Sequence, residues 1–184
     1  MRPALIVLDM ISLFDFDGGD RLAAQALKVC KNIAALRASF AKQDWPVLYV
    51  NDNFMDWNRE FSDLVAACRQ IAGPTGAIAT ALGPGPRDYY VLKPRHSAFL
   101  CTTLPAILGD LRVAELVVTG IAADSCVLAT AQDAHMRGYK VRVPTDAVAA
   151  QTAARSKRAL ALMSESMEID IRPTATVARS LASQ

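Results

Sequence analysis

Two kinds of apolar pattern alternate along the chain. Short, nearly unbroken apolar runs at 4–9, 46–50, 88–92, 115–119, 140–143 and 168–171 have the length and continuity of strands buried on both faces. Between them, apolar positions recur every three or four residues, as on one face of a helix. The longest such segment is 20–43, where Leu22, Ala26, Cys30, Ile33 and Phe40 share a face. Helices are also predicted at 60–72, at 102–111, from Cys126 towards Arg137, and at 152–167. Pro46 opens its strand, where a missing N–H is tolerated, and Pro105 falls in a first helical turn. The Gly/Pro-rich stretch 73–86 reads as a connection with room for one helical turn.

Strand–helix alternation predicts an α/β fold: a three-layer, doubly wound, Rossmann-like sheet of about six mostly parallel strands. Right-handed crossovers then bring every strand's carboxyl end to one edge, and ligands bind there near the switch in strand order. No composition break, repeat or low-complexity segment divides the 184 residues, so one domain over 1–184 is expected.

A net charge of +2 with scattered basic residues excludes an extended nucleic-acid surface. The opening MRPALIVLDM is too short for a signal peptide's apolar region, and no apolar run has the length of a membrane span. Cys30, Cys68, Cys101 and Cys126 form no C-x-x-C pair and no zinc-like cluster with histidine. Isolated cysteines of this kind belong to a reduced compartment. The expectation is a soluble cytoplasmic protein whose partner is a small molecule, not nucleic acid or a membrane.

Three of the strand signals lead into residues with chemistry to offer. LIVLD ends in Asp9 and YYVLK in Lys93, and LVVTGIAADSCV carries Cys126 at the strand-to-helix turn. A carboxylate after five apolar residues needs a cation or a proton, because an unpaired buried charge is costly. Lys93 can supply the cation if the two strands are close. Cys126 falls in a first helical turn, where free N–H groups and the positive end of the dipole favour thiolate and can hold an oxyanion. Asp9 as acid–base, Lys93 as its counter-charge and Cys126 as nucleophile make a hydrolytic triad. The competing reading is a structural Asp–Lys pair beside an inert core cysteine.

Four segments then carry a resemblance. LIVLDM around Asp9, YVNDNF from Tyr49, VLKPRHSAF around Lys93, and VVTGIAADSCVLATAQDAHMRGYKVRVPTDAVAA around Cys126 occur in that order. Together they make the chain similar to the isochorismatase-like cysteine hydrolase superfamily, which includes nicotinamidases, N-carbamoylsarcosine amidases and isochorismatases. The resemblance spans residues 5–150 and implies that fold, with one hydrolase domain over 1–184. It places the triad on Asp9, Lys93 and Cys126, and a cis peptide bond between Ile121 and Ala122. The oxyanion hole falls on the N–H groups of Ala122 and Cys126. It also implies a homo-oligomer.

Departures from the family narrow the chemistry. Nicotinamidases carry a metal-binding Asp-x-His after the second strand, where this chain reads Asp52, Asn53, Phe54. No metal or other cofactor is therefore expected, and nicotinamide is disfavoured as substrate. Isochorismatases proper lack the cysteine, so vinyl-ether hydrolysis is disfavoured too. Cleavage of a C–N bond in a small amide-type substrate, through a thioester on Cys126, is the expected reaction. The alternative is a non-catalytic member of the fold that binds a small molecule or partner. A dinucleotide oxidoreductase would need G-x-G-x-x-G where the chain reads DMISLFDFDGGD. A thiol redox protein would need a resolving cysteine, and only Cys101 is a candidate. Pocket candidates are Phe14, Asn53, Phe54, Trp57, His96, Phe99 and Ile121, each competing with a packing role. Asp133 and Asp146 are read as structural hydrogen-bond partners, and His135 as a surface or packing residue.

Overall fold

The sheet is built outward from its first strand. In the computed structural model, which describes residues 2–54, 58 and 60–183, β1 (Arg2–Leu8) is central, with β2 (Val47–Asp52) on one side and β4 (Val113–Ile121) on the other. β3 (Tyr89–Lys93) lies outside β2. β5 (Lys140–Arg142) and β6 (Val148–Ala149) lie along the first and last parts of β4. All these pairings are parallel, in the order β3-β2-β1-β4-β5 with β6 also on β4. The chain adds β2 and β3 in one direction and then returns to add β4 on the far side of β1. The switch in strand order therefore lies between β1 and β4, and their carboxyl ends open the crevice where such folds bind ligands.

Alternation along β1 divides the core. Leu5 and Val7 face a layer made by α1 (Gly19–Lys42), α2 (Phe61–Arg69), α3 (Pro74–Leu82) and α7 (Thr174–Ala182). Ala4, Ile6 and Leu8 face the other layer, made by α4 (Leu104–Asp110), α5 (Leu128–Met136) and α6 (Ala153–Met167). Helices thus cover both faces, which is why the strands read as unbroken apolar runs.

Four features depart from the sequence reading. The Gly/Pro-rich connection holds a full helix, α3, whose Thr75, Ile78, Ala79 and Leu82 are buried. Pro74 stands at its start, where proline initiates a helix as well as punctuating a loop. The 168–171 run forms only one bridge, Arg142 with Asp170, and the sixth strand is instead Val148–Ala149. Finally α7, not foreseen, is anchored by Asp146, whose Oδ1 accepts both the N–H and the hydroxyl of Thr174.

β4 also runs past Gly120, where the sequence reading stopped it. Gly120 has φ +106°, and a Cβ there would lie 2.1 Å from the Leu8 carbonyl oxygen. Only glycine lets β1 and β4 stay paired up to the edge of the crevice.

Candidate active site

Three strand ends and one turn supply the groups in the crevice. β1 delivers Asp9 in a left-handed conformation, φ 51°, which Asp tolerates better than most side chains. β3 ends on Lys93, and Pro94 stops the strand there. β4 passes through Ile121, joined to Ala122 by a cis peptide bond, into a π-helical turn, Ala123–Val127, that carries Cys126. The regular helix begins only at Leu128, so Cys126 occupies a wider turn than the α-helical N-terminus expected from sequence.

Lys93 is fully buried, and its ammonium is the hub. Nζ lies 3.0 Å from Asp9 Oδ2, 3.7 Å from Asp52 Oδ2 and 3.4 Å from Cys126 Sγ. Asp9 Oδ1 accepts the Asp52 N–H at 2.7 Å. Burial alone would favour the neutral amine of Lys93, but Asp9, Cys126 and Asp52 outweigh it and hold the ammonium above its ordinary range. Burial likewise raises the Asp9 carboxyl, against the pull of Lys93.

The sulfur corrects an expectation. Its place in a turn suggested a stabilised thiolate. Burial instead pushes the Cys126 thiol up to about 12; Asp9 adds to that and Lys93 only partly opposes it. Burial thus favours the thiol, and a base beside it can take its proton.

This has a consequence for stability. An unfolded thiol ionises near its ordinary value of 9.0, whereas folded Cys126 keeps its proton to about 12. Across that window the unfolded chain binds fewer protons, so stability falls as pH rises. Burial also raises Cys30, Cys68 and Tyr49, which add to the same decline. Denaturant unfolding followed from about pH 8 to about pH 12 should therefore show falling stability in the wild type and a shallower fall in Cys126→Ala. Identical slopes would show that the folded thiol ionises in its ordinary range.

Beside the thiol lies a cleft of about 280 Å³, just below the roughly 300–1,000 Å³ of pockets that take drug-sized ligands. Of the pocket candidates, His96, Phe54 and Ile121 line it together with Asp9 and Cys126. Phe14 and Phe99 do not. Both are buried in the core, Phe14 on the α1 face and Phe99 under Arg137 and beside Tyr139. The aromatic from the loop after β1 that lines the cleft is Phe16, 6.4 Å from Phe14. Asn53 is buried and lines an adjoining cavity of about 260 Å³, which shares Asp52 and Phe54 with the cleft. Trp57 lies outside the described residues.

Sequence reasoning missed Arg155 and Asp124. Arg155 reaches the cleft from the first turn of α6, where its Nε donates to Asp124 and its Nη1 donates to Gln151 Oε1 at 2.9 Å. No spacing signal links position 155 to position 126; α6 packs directly on the π-helical turn and brings them together. Asp133 accepts hydrogen bonds from Ser97 and Arg137, outside the cleft.

The residues do not suit the metal that nicotinamidases carry. Phe54 stands where the first histidine would be. Asp52 spends Oδ1 on the Phe54 N–H and faces Lys93 with Oδ2. Among the described residues no cluster of three or more His, Cys, Asp or Glu is arranged to hold a metal ion. No described helix is long and apolar enough to cross a membrane.

Comparison with known proteins gives the lineage. The Isochorismatase domain model matches residues 3–175. The uncharacterized isochorismatase family protein YaaI of Bacillus subtilis is 36% identical over 160 residues, covering 87% of each chain. Ureidoacrylate amidohydrolase RutB of Stutzerimonas stutzeri is 30% identical over 171 residues, covering 79% of this chain and 69% of that protein. The crystal structure of an isochorismatase family protein from Desulfovibrio vulgaris superposes with a TM-score of 0.79 at 27% identity, covering 98% of both chains. With its parallel sheet, its crevice between β1 and β4 and a match over nearly its whole length, the chain belongs to the isochorismatase family of hydrolases.

Proposed function

We propose that the protein is a cysteine hydrolase that cleaves the C–N bond of a small amide-type substrate through a thioester on Cys126. One observation carries the reading: the buried Lys93 ammonium reaches both the Asp9 carboxylate and the Cys126 sulfur beside a small cleft. A fully buried ammonium with those two partners is an expensive arrangement for packing alone, and shifted ionisable groups in a cleft mark chemistry.

In this reading the substrate carbonyl sits against the N–H groups of Ala122 and Cys126. The thiol proton passes to Asp9 as sulfur attacks the carbonyl carbon. The C–N bond breaks, and the amine leaves with that proton. Water then hydrolyses the thioester, releasing the acid and restoring the thiol. A raised Asp9 carboxyl suits this work, because it holds a proton more readily than an ordinary carboxylate. Lys93 keeps the site's charge balanced whether the negative charge is on Asp9 or on sulfur. The relative named as an amidohydrolase supports a C–N substrate.

The test is a panel of ureides, N-carbamoyl amino acids, primary amides and cyclic imides. Amine or ammonia release is followed, with hydroxylamine added to trap acyl-enzyme. Turnover of at least one class with acyl mass on Cys126 is the expected result. No turnover and no adduct across the panel would favour a binding protein on the same fold.

A further inference from the structure

His96 lines the cleft within reach of the sulfur, and the reaction above does not use it. Pro94 turns the chain out of β3, and His96 comes back over the π-helical turn. Its Nδ1 lies 3.1 Å from Ser125 Oγ and 3.6 Å from Cys126 Sγ, a hydrogen-bonding distance for the larger sulfur atom. The residue is exposed and lines the cleft. Asp9, by contrast, is buried, with Oδ1 on the Asp52 N–H and Oδ2 on Lys93. The two flank the sulfur differently, Asp9 within the protein and His96 towards solvent.

We infer that His96 is a catalytic residue for the second half of the reaction, the hydrolysis of the thioester. This rests on the reading of Cys126 as nucleophile. Acylation needs a base at the buried side, where Asp9 and Lys93 meet the thiol. Deacylation needs water, which enters after the amine leaves and comes from the open side. With its own proton on Nε2, His96 takes a proton from that water at Nδ1 while the water oxygen bonds to the thioester carbon. The resulting imidazolium, 3.6 Å from sulfur in the resting geometry, gives the proton to Sγ as the C–S bond breaks. The products are the free acid, the thiol and neutral imidazole, so no charge or atom is left over. Ser125 Oγ holds the ring in place between turnovers. The division gives each half-reaction its own proton carrier, as suits a site with one buried base and one exposed one.

The experiment uses p-nitrophenyl acetate as an acylating probe, because release of p-nitrophenolate reports acylation and decay of the acetyl adduct reports deacylation. His96→Gln retains a side chain that can bond Ser125 but cannot act as a proton carrier. His96 is exposed, so the variant should fold. The expected result is a burst of about one equivalent at the wild-type rate. A steady state slowed by on the order of 10²-fold should follow, with acetyl-Cys126 accumulating in the intact mass. Added imidazole should speed decay of the isolated acetyl adduct in a His96→Ala variant, a response that a purely structural role would not give. If acetyl-Cys126 forms and decays in His96→Gln as in the wild type, the inference is overturned and the cysteine reading stands. If no adduct forms on Cys126 in either protein, the cysteine reading fails and the inference falls with it.

Discussion

Replacing Cys126 by alanine should reduce turnover to the uncatalysed background, a loss on the order of 10⁴-fold or more, while the fold survives. Removing a nucleophile leaves binding and oxyanion contacts in place but no atom to form the thioester. The structural cost is small: Cys126 is only partly buried, and the change deletes one sulfur. It also removes a thiol that burial holds in its protonated form. The midpoint of thermal unfolding should therefore move by no more than a few degrees. Activity on the amide panel, acyl mass and melting temperature are measured on the same preparation. Turnover retained in a folded Cys126→Ala protein would remove the cysteine from the mechanism, and Asp9 would then be left to activate water directly.

Lys93→Met should be the most damaging single change for stability. The side chain is fully buried, and its ammonium is the counter-charge of the Asp9 carboxylate. Breaking one half of such a pair leaves an unpaired buried charge and typically costs about 3–5 kcal/mol. For a chain of this size each kcal/mol is worth about 2–4 °C, so the melting temperature should fall by roughly 6–20 °C. Asp9 can escape the penalty only by taking a proton, and burial already raises its carboxyl. The deficit relative to the wild type should therefore shrink as pH is lowered. Where Asp9 is protonated it cannot accept the thiol proton, and where it is ionised the Lys93 charge that faces both Asp9 and the sulfur is gone, so activity should be lost at every pH. Asp9→Asn combined with Lys93→Met should recover part of the stability and none of the activity, since removing both charges removes the mismatch. A single variant that melts with the wild type would show that the pair is not held as ions.

These outcomes bear on residues whose positions were legible for a simple reason. In a parallel sheet covered on both faces, strands appear as apolar runs, and a charge that closes such a run marks the carboxyl edge. Asp9 and Lys93 stand out in that way. Cys126 stands out because it follows a buried strand and a glycine. The helix α1 was legible from its long periodic face, whereas α3 was hidden by Gly73, Pro74 and Gly76, which punctuate loops and initiate helices alike. α7 is short and buries Val177 and Leu181 as its only large apolar side chains, too few to show a period. The 168–171 run has a strand's composition. It pairs only through Asp170 because β5 offers just three residues and ends at Arg142.

Within the cleft the limits were sharper. Phe14 and Phe16 are both aromatic, both on the loop after β1 and two residues apart, yet one is packed beneath α1 and the other lines the cleft. Arg155 comes from a helix that is remote in sequence, whereas His96, three residues after Lys93, is a pocket candidate already in the sequence. The pull of the turn's free N–H groups on the Cys126 thiol is a local feature, whereas the burial that opposes it is not.

By itself, then, the sequence determined the α/β class, the alternation that sends strand ends to one edge, and the placing of Asp9, Lys93 and Cys126 at that edge. Each of these follows from short-range periodicity and from the right hand of crossovers. The tertiary structure alone decided that burial opposes ionisation of the thiol, that Phe16 and Arg155 line the cleft beside it, and that His96 Nδ1 comes within hydrogen-bonding distance of the sulfur. Burial and electrostatic coupling are sums over neighbours far apart in the chain, and no local pattern records which neighbours those will be.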